Sequence, residues 1–244
     1  MIIDGHVHIG TSTYFQMSAD ADFLLRQADA AGFDRLFVTD LNALFYDMRE
    51  GNDSLALEIA GHADRLIGYV SIPTPRLGPL ALDEVRRCHE QYGFRGVKIY
   101  SHPEAPITEP GTAPLLALAA QLRMPVLAHT TPEECDRLME MVPDVPLVMA
   151  HMGGHPYAYG DWHRAIDVAS RHAKLLLDTA SSQIDNGMIE AAVARLGPEK
   201  ILFGTDMPLL DPHTQLAKVR GARIDDRAKA LILGGNLERL LGLS

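Results

Sequence analysis

An α/β protein built as a closed (β/α)8 barrel is the fold this chain predicts, and three observations predict it. Short apolar runs alternate with longer helical stretches from one end to the other, eight times. The runs are almost continuously apolar, the pattern of parallel strands buried on both faces. Their ends recur near residues 8, 39, 71, 100, 129, 151, 178 and 206, steps of about 28 residues that suit one strand, one helix and two loops. That regularity favours a closed barrel over a doubly wound sheet. Gly153-Gly154 follows a strand, but the rest of a dinucleotide-binding glycine fingerprint is missing. No linker or shift of composition interrupts the alternation, so residues 1–244 read as one domain.

The first strand lies within Met1–Gly10, and its pleat puts His6 and His8 on one face with Ile3 and Val7 on the other. Ser18 is the expected cap of a helix running to Gly32, with Asp20 and Asp22 at its positive end. Arg35 to Val38 is the second strand, Leu41 to Gly51 an irregular loop over the top, and Leu55 to Ala63 the second helix. Leu66–Ser71 is the third strand, ended by Pro73 and Pro75, and Leu80–Tyr92 the helix after it. Gly96–Tyr100 forms the fourth strand, followed by a helix from Thr112 through Leu122. Pro125–His129 is the fifth, and Thr131-Pro132-Glu133-Glu134 has the pattern of a capping box. Val145–His151 is the sixth strand, with a helix from Trp162 to His172. Lys174–Asp178 is the seventh, with Met188–Leu196 behind it, and Lys200–Asp206 the eighth; Arg227–Leu241 supplies the terminal helices.

A hydrophobic content of 47% is ample for a core of this size. Lys and Arg total 22 against 32 Asp and Glu, a net charge of -10 without a local basic patch, which argues against nucleic acid and anionic membranes as partners. The sequence starts without a basic segment leading into an apolar run, and no apolar run reaches membrane-spanning length, so a cytoplasmic protein is expected. Cys88 and Cys135, both in helical segments, read as reduced packing thiols.

In such a barrel the reacting groups sit at the C-terminal strand ends. This chain places there His6 and His8, Lys98 and Tyr100, His129, His151, Asp178 and Asp206. Parity puts Leu127 on the face of His129, Met149 and Leu147 on that of His151, and Gly204 and Leu202 on that of Asp206, where the small Gly204 would leave room for a metal. Three histidines and an aspartate converging on one axis make a mononuclear divalent-metal site with water in an open position. Lys98 faces inward because Val97 and Ile99 take the other face. Asp4, one pleat below His6, reads as a supporting residue rather than a ligand. His102, His155 and Tyr157 lie on loops at the functional end, where a packing role is as good a reading as substrate contact, and His213 stays open.

At these residues the chain resembles the amidohydrolase superfamily, in particular the branch called amidohydrolase family 2. The resemblance rests on Ile3-Asp4-Gly5-His6-Val7-His8, Gly96-Val97-Lys98-Ile99, Pro125-Val126-Leu127-Ala128-His129, Ala150-His151-Met152-Gly153-Gly154, Leu202-Phe203-Gly204-Thr205-Asp206 and Gly235-Asn236-Leu237-Glu238-Arg239. It implies a barrel of the metal-dependent hydrolase type in which His6, His8, His129 and Asp206 hold one divalent metal, zinc or else manganese. His151 then contacts substrate or the activated water, and Asp206 both touches the metal and takes the water's proton.

The expected activity is hydrolysis of a small amide, lactone or ester. The alternative is non-oxidative decarboxylation of a small aromatic or unsaturated acid, and a third reading, from another class, is a non-catalytic metal-binding barrel. Lys98, Tyr100, His102, Tyr157 and Asp178 are the candidate substrate contacts. Lys98 binds an anionic group or pairs with an acid such as Asp4, although some relatives carry a carboxylated lysine on that strand. The partner is a small-molecule substrate. The chain is short for this family, so a pocket completed by a second subunit of a homo-oligomer is a further expectation.

Overall fold

The structure, a computed structural model, describes residues 1–101, 104–153, 161–183 and 185–242. Among them are nine strands: β1 (Ile3–Ser12), β2 (Met17–Ala19), β3 (Arg35–Asp40), β4 (Leu66–Ile72), β5 (Gly96–Tyr100), β6 (Val126–His129), β7 (Leu147–Met149), β8 (Leu175–Asp178) and β9 (Ile201–Leu202). They join in the order β2-β1-β3-β4-β5-β6-β7-β8-β9. β2 is antiparallel to β1 and every other pair is parallel. The sheet curls until its last segment meets its first. Gly5 N donates to Phe203 O (2.9 Å), Asp206 N to His6 O (2.8 Å) and His8 N to Met207 O (2.8 Å), with a parallel bridge between Val7 and Met207. The predicted barrel is the fold, with eight parallel segments and one added hairpin strand.

Eleven α-helices are described: α1 (Ala21–Ala31), α2 (Leu41–Phe45), α3 (Met48–Ile59), α4 (Pro79–Tyr92), α5 (Thr112–Gln121), α6 (Pro132–Met141), α7 (Trp162–Arg171), α8 (Met188–Leu196), α9 (Pro212–Gly221), α10 (Asp226–Ala230) and α11 (Asn236–Leu241). None of the described helices is long and apolar enough to cross a membrane.

Three local expectations are corrected, and one helix is added to them. Ser18 does not cap α1. It lies in β2 with its hydroxyl on Thr11 (2.9 Å), and the cap is Asp20, which accepts from Phe23 N at 2.7 Å. Leu41–Gly51 is not an irregular loop but two helices, capped by Asp40 and Asp47. Gly51 misled the reading: it is needed because α2 passes so close that a Cβ there would stand 2.2 Å from Ala43 N. Thr131 caps α6 by accepting from Glu134 N (3.2 Å), but the Glu134 carboxylate does not close a capping box; it accepts instead from Ser101 Oγ and Thr130 Oγ1. The helix α9 went unread.

Two apolar layers hold the barrel. The larger lies between strands and helices and includes Val7, Val38, Val97, Ile99, Leu147 and Met149. The smaller fills the barrel with Ile3, Phe37, Tyr69, Leu127, Val148, Ala150 and Leu202, joined by Leu237 and Leu241 of α11. Full burial of such a side chain is worth roughly 1.5–3 kcal/mol. Ile3 and Val7 fall in different layers because the β1 register shifts between Asp4 and Val7, so simple alternation fails there. It fails on β7 as well, where Val148 and Ala150 point inward and Met149 and Leu147 outward, the reverse of the expected face.

Candidate metal centre

His6 and His8 stand on β1 inside the barrel mouth, 0% and 4% exposed. Their rings are edge to face with centroids 5.1 Å apart. Each ring is oriented through Nδ1. His6 Nδ1 lies 2.8 Å from Asp178 Oδ2, a carboxylate that only accepts, so the proton sits on Nδ1 and Nε2 is bare. His8 Nδ1 lies 2.7 Å from Thr39 Oγ1, which gives its own proton to Val7 O (3.2 Å), so Nδ1 is set to donate to Thr39, while Nε2 lies in hydrogen-bond range of an Asp206 oxygen that only accepts. Both Nε2 atoms face Asp206 Oδ1, at 3.4 Å and 2.9 Å.

Burial, and for His6 the Lys98 cation, push both imidazoles below their ordinary range, which favours the neutral form. Burial also acts on Asp206, but the His8 hydrogen bond and the electrostatic pull of the neighbouring His151, His6 and His8 rings outweigh it, and its carboxyl sits well below the usual range. The ligand atoms of His6, His8 and Asp206 lie within 4.8 Å of one another. Two imidazole Nε2 atoms and one carboxylate oxygen gathered at a common point are a donor set for a divalent cation, which on binding takes the place of the proton shared between His8 and Asp206.

Asp206 does not arrive by strand alternation. The strand β9 stops at Leu202, and Asp206 turns inward with φ at 62°. Gly204 does not make room for a metal; a Cβ there would meet His6 Cβ at 2.9 Å and Ala180 Cβ at 3.2 Å, so it makes room for His6. His151 likewise lies past β7, with φ at 60° and Met152 at 51°. A left-handed backbone costs a non-glycine residue about 1–2 kcal/mol, and here His151 N is held by Asp178 Oδ1 at 2.7 Å. Its Nδ1 donates to the Ala180 carbonyl, which leaves Nε2 facing His129 Nδ1 at 2.9 Å.

His129 ends β6, 9% exposed. Its Nδ1 faces His151 Nε2, and it stands beside, not within, the group of His6, His8 and Asp206 whose ligand atoms lie within 4.8 Å of one another. The Tyr100 ring stacks on it, centroids 4.2 Å apart and planes 18° apart, and Phe45 meets Tyr100 edge-on at 5.4 Å.

Lys98 is buried with Nζ 2.8 Å from His6 Nε2. Burial pushes its ammonium down to about 8, against the pull of Asp206 and Asp178. The expected pairing with Asp4 is not there: the Asp4 carboxylate accepts from Thr205 Oγ1 (2.5 Å), Thr205 N (3.0 Å) and His6 N (3.1 Å), and so latches β1 to the turn that carries Asp206. Asp178, read as a substrate contact, is 2% exposed and lies outside the cavity lining. Its oxygens are taken by His6 Nδ1, His151 N and Ala180 N (3.1 Å). His213 is on the exposed side of α9. His102, His155 and Tyr157 lie outside the described residues.

Above these groups is a cavity of about 140 Å³. Its polar floor is His8, Lys98, His129, His151 and Asp206; its wall is Phe15, Leu41, Leu44, Phe45, Leu209 and Leu210, with Tyr100 between. Phe15 comes from the turn between β1 and β2, Leu41, Leu44 and Phe45 from α2, expected as a loop, and Leu209 and Leu210 from the turn after Asp206. Thr39 was legible as a polar residue ending an apolar strand.

The amidohydrolase family model matches residues 3–243. Among solved structures, 2,6-dihydroxybenzoate decarboxylase from Rhizobium superposes with a TM-score of 0.83 at 18% identity, covering 99% of this chain and 98% of that one. A dihydroxybenzoic acid decarboxylase from Polaromonas sp. JS666, solved with manganese and the inhibitor 2-nitroresorcinol, gives 0.81 at 18% identity, covering 99% and 97%. 5-Carboxyvanillate decarboxylase from Sphingomonas paucimobilis gives 0.77 at 16% identity, covering 99% and 98%.

Proposed function

This chain belongs to the amidohydrolase family, and from that premise we propose that it is a non-oxidative decarboxylase of a small, planar carboxylic acid that works with one divalent cation. The observation that carries the reading is the cavity's division into a polar floor, where the Lys98 ammonium stands beside the candidate metal donors, and an apolar wall in which Phe15, Phe45 and Tyr100 meet edge-on. Such a shape takes an acid whose charged oxygens point down and whose ring or unsaturated carbon lies against hydrocarbon. The likeness in fold to decarboxylases of hydroxylated benzoic acids supports the same choice over hydrolysis.

In this reading His6, His8 and Asp206 hold the cation, with zinc or manganese suited to the mixed nitrogen and oxygen set. When bound, the cation supplies Lewis-acid polarisation of a substrate oxygen. Lys98 neutralises a second anionic oxygen. His151 passes a proton through Nε2: with Nδ1–H committed to the Ala180 carbonyl, Nε2 is the nitrogen that takes a proton up and then delivers it. That proton takes the place of the departing carbon dioxide on carbon, while the electron pair of the broken C–C bond stays behind to form the new C–H bond. Leu209, Leu210 and Phe45 exclude bulk water from the basic carbon.

Hydrolysis would need Asp206 to accept a proton from water, and a carboxyl held well below its usual range is a weak base for that step. A single assay separates the readings: metal-loaded enzyme is given aromatic and unsaturated carboxylates, lactones and amides in heavy water. Carbon dioxide release with deuterium on the vacated carbon is the expected result. Acid release from a lactone or amide without carbon dioxide would replace decarboxylation by hydrolysis, and no turnover in a panel covering both classes would favour the non-catalytic barrel.

A further inference from the structure

The helix α9, which begins just after the Asp206 turn, sends Lys218 across to the loop leaving β8. Its Nζ donates to the carbonyls of Thr179 (2.9 Å), Ser181 (2.7 Å) and Gln183 (3.4 Å). Gln215, on the same side of α9, adds a donation from Nε2 to Ser181 O at 3.1 Å. Three backbone oxygens around one ammonium form a cation cage built from the loop itself, and no carboxylate among the described residues is hydrogen-bonded to Lys218. Burial pushes this ammonium down to about 8, with Asp178 pulling the other way.

An ordinary role, stitching a loop to a helix, would account for one such bond. The loop's contents point further. Ala180 stands between two of the caged carbonyls, and its own carbonyl is the acceptor for His151 Nδ1. Its N–H meets Asp178 Oδ1 (3.1 Å), the same oxygen that accepts from His151 N. Ser182, the next residue after the second caged carbonyl, lines the cavity. The cage thus clamps the residues on both sides of the one group that decides which nitrogen of His151 bears the proton.

We propose that Lys218 is a positioning residue of the active site: caged by the Thr179, Ser181 and Gln183 carbonyls, it fixes the Ala180 carbonyl so that His151 keeps its proton on Nδ1 and turns Nε2 to the cavity. The proposal rests on the reading of His151 as the proton carrier. Lys218 itself touches neither the cavity nor the metal donors.

The test is nitrogen-proton correlation NMR of the imidazoles in metal-loaded wild type, Lys218→Met and Lys218→Ala, with turnover and metal content measured on the same samples. Wild type is expected to show His151 as the Nδ1–H tautomer and Lys218→Met a mixture. Turnover should fall about 10- to 100-fold, the usual cost of losing a group that orients an active-site side chain, with KM and metal content little changed. Added n-propylammonium should restore part of the activity of Lys218→Ala. An Nε2–H tautomer in wild type, or wild-type tautomer and turnover in both variants, overturns the proposal. If Lys218→Met does not fold, Lys218→Gln, which keeps donors and drops the charge, is read the same way. Should wild type release no carbon dioxide from any acid, the decarboxylase reading falls, while the tautomer comparison still decides the role of Lys218.

Discussion

Two kinds of backbone feed the site, and they behave differently. His6, His8, Lys98 and His129 stand on strands, where the pleat aims the side chain at no extra cost. His151 and Asp206 stand on left-handed turns beyond their strands, where the backbone is strained and is held by partners: Asp178 for His151 N, the His6 carbonyl for Asp206 N. The backbone placement of the strand-borne set therefore follows from barrel formation, with Asp178 and Thr39 orienting the His6 and His8 rings. The turn-borne set also depends on a few buried hydrogen bonds, and Asp178 is the residue where the two meet, through His6 Nδ1 on one oxygen and His151 N on the other.

The largest effect that bears on this contrast comes from replacing both strand-borne donors. His6→Ala with His8→Ala should abolish metal binding and turnover and leave the barrel folded, as elemental analysis and circular dichroism will read; retained metal would remove these two from the site. Asp206→Asn, on the turn-borne side, should lower turnover by on the order of 10²–10⁴-fold while secondary structure persists, and unchanged rates on an accepted substrate would end its assigned part.

Next comes the junction. Asp178→Asn should cost about 10–100-fold and should exceed Thr39→Val, which loosens only His8; equal losses in steady-state kinetics would show the two sets to be independent.

The smallest effect is on stability alone. Asp40 ends β3 as His129 ends β6, but it caps α2 with Oδ1 accepting from Ala43 N at 2.9 Å. Burial, against the backbone hydrogen bonds of the cap and aided by Glu58, pushes its carboxyl from 3.8 up to about 6. The native state thus binds this proton more tightly than the unfolded chain, so the stability it contributes is complete below about pH 4 and lost as pH rises to about 6. Asp40→Asn keeps a capping oxygen and no charge, so its melting temperature should gain on wild type from pH 4 to 6 and run parallel above, with metal content unchanged. A constant difference across that range would show that Asp40 does not titrate there.

Much of the architecture was legible because it is written in local periodicity. Eight apolar runs, the shared face of His6 and His8, and the inward aim of Lys98 all follow from alternation along single strands, and each stands where it was expected. The same rule failed on β7, where extending the strand through His151 assigned Met149 and Leu147 to the wrong layer. It also hid α2 and α3, because a glycine required for close helix packing reads as a loop residue when the neighbouring helix is unknown.

What the sequence by itself determined, then, is the eight parallel strands in chain order and the residue types gathered at their ends, since side-chain direction on a regular strand follows from alternation. Only the tertiary structure decided how that chemistry is aimed. Closure of β1 onto Phe203, Asp206 and Met207, the inward turn of His151, the split of Asp178 between His6 and His151, and the reach of Lys218 into the β8 loop join residues as far as 201 positions from one another, as Asp4 and Thr205 are. Hydrogen bonds over such separations, and the left-handed turns they hold in place, leave no periodic trace in the chain because their energy comes from partners that meet only once the barrel has closed.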